Sequence, residues 1–495
     1  MPDDAARSTS GPNVSTPRSY GSAPVARRHP WTDRGVLVAF AVTAVGAWVA
    51  RAVPVPMMLC AAVLGLVGLR WGVLRPPARL LTIGALGLIA GALAAGELRA
   101  IDSAPMGPWT GVAILRSDPD RTGAGVRVVL EVQGFRYEAW AWGAPARSVE
   151  RRLAGERVVV VGERHPLEGR RRGSLHARHV VGRFDLALIA GSAPGPAPAL
   201  AANRVHRAVG RVVQHWPADR RALLAGLVLG NDSALSPEAV AAFRTAGLSH
   251  LTAVSGQNVA LLLTLMAPLL ARTDRGWRWL LTAAVIAWFA VLTRFEPSVL
   301  RASVMALAAA TATVLGRDRR PARLLALSGV VLMLVDPLLV RSVSFWLSMS
   351  ATAGLVVVTP ALKRVLEGRQ SLETGRVRRA VASALATTAG AQTGVLCVST
   401  VVFGLPSSVS LVTNLLAVPP AGLVMMSGPA VAAVGAVAPE WAFVAATPLR
   451  WLVDGIAGIA HVGARLAPPR QVDVVVWCAV LAASLRGIWT RARGR

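Results

Sequence analysis

Long apolar runs broken by clusters of arginine leave this chain few ways to satisfy its backbone. Runs of this kind lie at 35–50, 54–69, 80–97, 256–271, 279–293, 297–315, 324–338, 342–360, 380–402 and 472–487. A helix rises ~1.5 Å per residue, so each run crosses much or all of a hydrocarbon core ~30 Å thick. Inside such a core a helix satisfies every backbone N–H and C=O without water. The composition agrees, with 54% hydrophobic and 16% charged residues and a mean hydropathy of +0.51. The expectation is a polytopic α-helical membrane protein of about ten to twelve transmembrane helices. Between 406 and 464 the pattern is ambiguous. Pro419-Pro420 is expected to break one segment. The stretch 441–464, with Arg450, Asp454 and His461, reads as interfacial or turned inward.

The net charge of +27 is distributed unevenly. Arg7, Arg18, Arg27, Arg28 and Arg34 precede the first apolar run, and Arg70, Arg75 and Arg79 separate the second from the third. Only Arg51 separates the first from the second. The positive-inside bias therefore puts the N-terminus in the cytoplasm and the residues after 97 outside. Arg272, Arg275 and Arg278 then fall inside. So do Arg317, Arg319, Arg320 and Arg323, the group from Lys363 to Arg379, and the basic tail 491–495. The localisation expected is the cytoplasmic (inner) membrane, multi-pass. Residues 1–34, rich in Ser, Pro and Arg, read as a disordered cytoplasmic tail.

After the N-terminal helices of 35–97, the period changes. The alternating segments 125–132, 135–142 and 157–163 read as strands of a small soluble β-domain over 108–185, with Gln133-Gly134 as a tight hairpin turn. Its strand number and length suggest a barrel. Arg170, Arg171, Arg172 and Arg178 form its most basic loop, and Trp140 and Trp142 offer flat surfaces, a combination suited to phosphates and bases of a single strand. A Pro/Ala/Gly linker at 193–200 leads to helical segments near 201–215 and 219–230, which open a membrane domain over 201–490.

Within that domain the polar residues are the informative ones. Ser236 and Glu238 signal the start of a short helix that Gly247 can end. Ser255, Gln257 and Asn258 open a long apolar helix whose positive end suits a phosphate, with His250 just upstream. Glu296 precedes Pro297, and Arg301 lies one turn further on. Arg341, Ser344, Ser348 and Thr352 are spaced to share one helix face near Asp336, and Ser407, Ser410 and Asn414 share another. Such stripes either bond helix to helix or line an aqueous path. The expectation is that the 255–258 helix start, the Glu296–Arg301 segment and the Arg341 stripe converge on one cavity. No Walker A pattern is present, so transport energy is expected from a separate motor. Cys60, Cys397 and Cys478 lie within apolar runs, and His165, His176 and His179 lack metal-ligand spacing, so no disulfide, metal or cofactor is expected.

The segment GLVLGNDSALSPEAVAAFRTAGLSHLTAVSGQNVALL resembles the signature of the ComEC competence channels, which carry DNA into bacteria. PSVLRASVMA (297–306), DPLLVRSVSFWLSMSATAGL (336–355) and FGLPSSVSLVTNLLAVP (403–419) resemble later motifs of that family, in the same order. The resemblance covers about 35–490, and it implies that the β-domain is an OB-like barrel. It also implies transport of single-stranded DNA during competence, by a channel rather than an enzyme, with a cytoplasmic ATPase or helicase as motor. Two positions depart from many members, which carry His at Asn258 and Gly at Ser344. A metallo-β-lactamase-like domain found in many members is not seen before Arg495, so a nuclease is expected to be separate. Two alternatives remain: a channel for another polar solute, or a membrane enzyme using the 255–258 region. Oligomeric state is left open.

Overall fold

The computed structural model describes residues 33–49, 76–123, 125–169, 172–252, 256–317, 319–367 and 375–493. The apolar run 54–69 lies outside the described residues, as do Ser255, Arg170 and Arg171. The chain is mostly helical, with one small sheet domain set between helices.

Helices α1 (Asp33–Val49) and α2 (Pro76–Asp102) pair first. They cross closely because Gly87 has no side chain: a Cβ there would stand 2.8 Å from Cγ1 of Val42. The chain then enters six strands: β1 (Gly107–Leu115), β2 (Asp120–Thr122), β3 (Gly125–Val132), β4 (Phe135–Trp142), β5 (Arg157–Pro166) and β6 (Val180–Ala193). Gln133 and Gly134 take φ of 53° and 84°, the left-handed pair that a two-residue hairpin of this twist requires. Strand order is β1-β5-β6-β4-β3-β2, and β3 also pairs with β1. All pairings are antiparallel except β4 with β6. Helix α3 (Gly143–Glu150) links β4 to β5, and the short α4 (Arg172–His176) precedes β6. Alternate residues of β3 and β4, among them Val128, Leu130, Tyr137 and Ala139, fill one core with Phe184 and Leu186. Strand β6 extends eight residues beyond the expected boundary at 185, to Ala193.

Helices α5 (Ala197–Val212), α6 (Ala218–Leu229), α7 (Pro237–Thr245) and α8 (Ser249–Thr252) follow. Ser236 caps α7, accepting from the Ala239 N–H at 3.2 Å, and Gly247 leaves it with φ 70°. Helices α9 (Gly256–Leu270), α10 (Arg275–Leu292), α11 (Pro297–Val314) and α12 (Pro321–Val335) come next. A 3₁₀ turn over Pro337–Arg341 precedes α13 (Val343–Val357) and α14 (Thr359–Glu367). The last are α15 (Arg376–Phe403), α16 (Ser410–Val437), α17 (Ala442–Arg465) and α18 (Arg470–Arg493).

Among the described residues six helices are long and apolar enough to cross a membrane, within α2, α11, α15, α16, α17 and α18. A seventh crossing exists if α13 and α14, bent by 42°, form one span. Two expectations are corrected. Pro419 and Pro420 lie inside a continuous α16 rather than ending it. Ala417, Ala421 and Val424 pack this helix into a core shared with α5, α6 and α17, and membrane helices tolerate internal proline where neighbours support them. Arg341 is not on the helix that carries Ser344, Ser348 and Thr352. Asp336 accepts from the Leu338 N–H at 3.1 Å to cap the 3₁₀ turn, and Ser342 caps α13 separately. The register of a single helix therefore breaks between Arg341 and Ser344.

Helices α13 and α15 cross through glycines. Gly390 and Gly394 stand one helical turn apart against Gly354, and a Cβ on Gly394 would lie 3.0 Å from Cα of Gly354.

Candidate functional site

Two polar joints fasten the β-domain to the helices. At the first, Asp118 follows β1 and accepts from the backbone N–H of Ala154 at 2.8 Å and from Nη2 of Arg294 at 3.1 Å. Arg294 also donates to Oδ1 of Asn203 at 2.7 Å, and Asn203 donates to the Ala154 carbonyl at 3.2 Å. His206 stands one turn along α5 from Asn203, 3.7 Å from Asp118 and 3.0 Å from the Leu292 carbonyl. Burial pushes its imidazole below the usual histidine range. Arg294 and Phe295 both hold left-handed backbones, φ 57° and 58°, in the turn that presents Glu296.

At the second joint, Nε2 of His179 lies 3.0 Å from Asp336 and its Nδ1 3.5 Å from Glu97. Hydrogen bonding to Asp336 raises its pKa above the ordinary histidine value. Arg172 reaches Asp102 at 3.4 Å. The 3₁₀ turn ties this joint together: Leu338 is buried in the β-domain core, while Leu339 and Val340 pack with α1, α2 and α12. Arg341 sits at its end, its guanidinium 5.6 Å over the Trp48 ring and 3.3 Å from the Trp48 carbonyl.

Glu296 follows Arg294 of the first joint by two residues. Asp232, His250 and Glu296 keep water-accessible surface yet are crowded by surrounding protein. Burial raises the carboxyls of Asp232 and Glu296 and lowers the imidazole of His250. Arg178, from the β-domain, and Asp232 both act electrostatically on Glu296. Asp232 accepts from the Thr252 hydroxyl at 3.0 Å, which fixes the loop after α6 against α8.

In the apolar bundle, α11 brings Arg301 against Gly256 of α9. Its Nη1 donates to the Ser348 carbonyl at 2.6 Å and to the Thr352 hydroxyl, both on α13. A Cβ on Gly256 would stand 2.6 Å from its Nη2. The structure thus brings together the α9 start, Arg301 and the Ser348–Thr352 face. Asn258 lies in the next part of α9 and donates to the Leu227 carbonyl at 3.4 Å, while Gln257 is exposed. Ser344 is exposed at the start of α13. Asp336 and Arg341 stay at the second joint, with Trp48 and His179 rather than with Arg301. Asn414 is buried in α16 and donates to the Ser410 carbonyl, and Ser410 bonds Gln392 of α15 at 2.8 Å.

On the outer face of the β-domain, Trp140 and Trp142 are stacked, 6.0 Å between centroids with planes 15° apart. Arg183 lies 5.7 Å over the Trp142 ring, and Trp142 is 45% exposed, enough to receive a second flat group. Asp118, Asn203, His206 and Arg294 were not foreseen as a unit, since they are spread over 118–294. Their one signal is that Asn203 and His206 interrupt the apolar face of an amphipathic helix.

A family model described as Competence protein matches residues 227–493. A protein of Neisseria gonorrhoeae named Competence protein ComA is 32% identical over 163 residues, covering 31% of this chain and 23% of that protein. The match therefore spans less than a quarter of the relative's length. No solved structure matches.

Proposed function

Because the chain belongs to the competence protein family, we propose that it passes single-stranded DNA through the cytoplasmic membrane during DNA uptake. The observation that carries this reading is the meeting of Gly256, Arg301, Ser348 and Thr352 inside an apolar bundle. A charge held among membrane helices faces a partner or a path, and a path for DNA needs cationic groups of this kind. The stacked Trp140–Trp142 pair under Arg183 supports a receiving surface for bases and phosphates, with Arg172 and Arg178 nearby on the chain.

The finer architecture follows the same reading. The strand circuit β1–β5–β6–β4–β3 and back to β1 has one parallel pair and a helix between β4 and β5, which favours an OB-like barrel. Adding the bent pair, the three shorter apolar helices and the apolar run 54–69 to the six long helices gives eleven crossings, within the ten to twelve expected. The N-terminus is cytoplasmic and the β-domain extracytoplasmic, as the arginine asymmetry requires. The chain acts as a channel rather than an enzyme, with a separate ATPase or helicase as motor and a separate nuclease.

The test is binding of fluorescent single-stranded DNA by the full chain in nanodiscs across a salt series. Binding should be sequence-independent and weaken with salt, and Trp142→Ala with Arg183→Glu should reduce it. Absence of binding at low salt, or no effect of these substitutions, counts against the receiving surface.

A further inference from the structure

We infer that the exposed arginine face of α5, continued onto α6, is a second anion surface, separate from the Trp140–Trp142 face. It holds the phosphodiester backbone of a strand without stacking on its bases. The polyanion chemistry stands on the charge pattern of this face, whereas the identity of the strand as imported DNA rests on the DNA-transport reading.

Residues 197–221 carry five arginines and a single acid, Asp219. That carboxylate is already engaged, accepting from the backbone N–H and the hydroxyl of Ser236 at 3.0 and 3.1 Å. On α5, Arg204, Arg207 and Arg211 are spaced by three and four residues, which sets them on one helix face. All three are exposed, as is Arg221 on α6. The opposite face of α5, with Ala202, Val209 and Val212, is buried in the core shared with α16 and α17. Like charges at this spacing repel one another. Among the described residues no carboxylate pairs with Arg204, Arg211 or Arg221. On the proposed orientation this helix follows an external domain, where the positive-inside bias supplies no arginine. An anion from outside the chain would relieve the repulsion.

The face is continuous with the β-domain at one end and with the bundle at the other. Glu156, just before β5, bonds Arg207 at 2.5 Å and lies 3.9 Å from Arg152. At the far end Arg221 donates to the Gln214 carbonyl at 3.4 Å. Arg220 reaches Asp454 of α17 at 2.6 Å, and Arg450 stands 3.7 Å from the same carboxylate. Each acid sits between two arginines, so the surface stays cationic along its length. Lipid headgroups and a dissolved strand both present phosphates to such a surface. A helix resting on a bilayer carries large apolar side chains beside its basic ones. Between residues 189 and 239 no large hydrophobic side chain is exposed. This face therefore meets water rather than acyl chains, which favours the strand. It also offers no exposed Phe, Tyr or Trp for a base to stack on, so recognition rests on phosphates alone.

The test uses the full chain in phosphatidylcholine nanodiscs, with Trp142→Ala and Arg183→Glu to silence the other surface. It is titrated with a fluorescent abasic deoxyribose-phosphate oligomer across a salt series. The oligomer should bind, and as tightly as a base-bearing oligomer of equal length. Adding Arg204→Gln and Arg211→Gln should make the slope of log affinity against log salt shallower by about 1.4, at ~0.7 for each of two lost phosphate contacts. Arg204→Lys with Arg211→Lys should keep the slope, because the charges remain. An unchanged slope in the Gln pair overturns the surface, as does failure of the abasic oligomer to bind at low salt. If the Gln pair instead loses thermal stability only in phosphatidylglycerol nanodiscs, with oligomer binding intact, the arginines hold lipid headgroups and the inference fails. Oligomer binding that depends on the two arginines, in a chain whose deletion leaves DNA uptake intact, keeps the surface and removes the DNA reading. Uptake that needs the chain while the Gln pair binds and imports as wild type does the reverse.

Discussion

Arg294 shows how much of this protein depends on single polar side chains placed where three elements meet. It adopts a left-handed backbone, which costs a non-glycine residue roughly 1–2 kcal/mol, and it holds Asp118 of the β-domain and Asn203 of α5. Both partners of the ion pair are largely buried, with side chains 15% and 8% exposed. Removing one therefore leaves a buried charge, and Arg294→Leu is expected to cost about 3–5 kcal/mol. The double variant Arg294→Leu with Asp118→Asn should recover part of that loss. Thermal unfolding of the purified chain checks both, and a single variant as stable as wild type would show that the pair is replaceable by water. At this scale the sequence was only partly legible. Arg301 stood out because a charge in an apolar helix demands an explanation. Its companion Gly256 did not, because a missing side chain gains meaning only when a guanidinium lies against it.

Among elements, the 3₁₀ turn Pro337–Arg341 and α4 carry the second joint through His179 and Asp336. The His179 pKa is raised in the folded protein, mainly by its bond to Asp336. The tether's contribution is thus fully present below the ordinary histidine value of about 6.5 and is lost as pH rises through the folded value. Amide exchange in residues 338–341 should accelerate as pH rises above the ordinary histidine value of about 6.5 in wild type, beyond the intrinsic effect of pH. In His179→Gln the same residues should exchange faster at pH 6 and show no such additional change. Equal protection in the two proteins at pH 6 would remove the histidine from the joint. Elements with a strict period were readable: β3 and β4 occupy the alternating segments 125–132 and 135–142. β6 was not, because its register against β5 shifts twice and blurs the alternation. The 3₁₀ turn was hidden for a different reason: Arg341, Ser344, Ser348 and Thr352 have helical spacing, and spacing alone does not reveal that a second cap at Ser342 restarts the helix.

In the whole molecule a small sheet domain is joined to a helical bundle, and the proposed reading sets that domain outside the membrane. The orientation rests on the arginine distribution, and a cysteine placed at Ser174 of α4 in a cysteine-free background tests it. A membrane-impermeant maleimide should label it in intact cells; labelling only after permeabilisation would invert the topology. The central claim is that the bundle conducts a DNA strand. Its most direct measurement is the fate of radiolabelled DNA given to host cells with and without this chain. With the chain deleted, label should still bind the cell surface, but the nuclease-resistant intracellular fraction should vanish. Wild type should restore it and Arg301→Met should not. An unchanged intracellular fraction in the deleted cells would contradict the account.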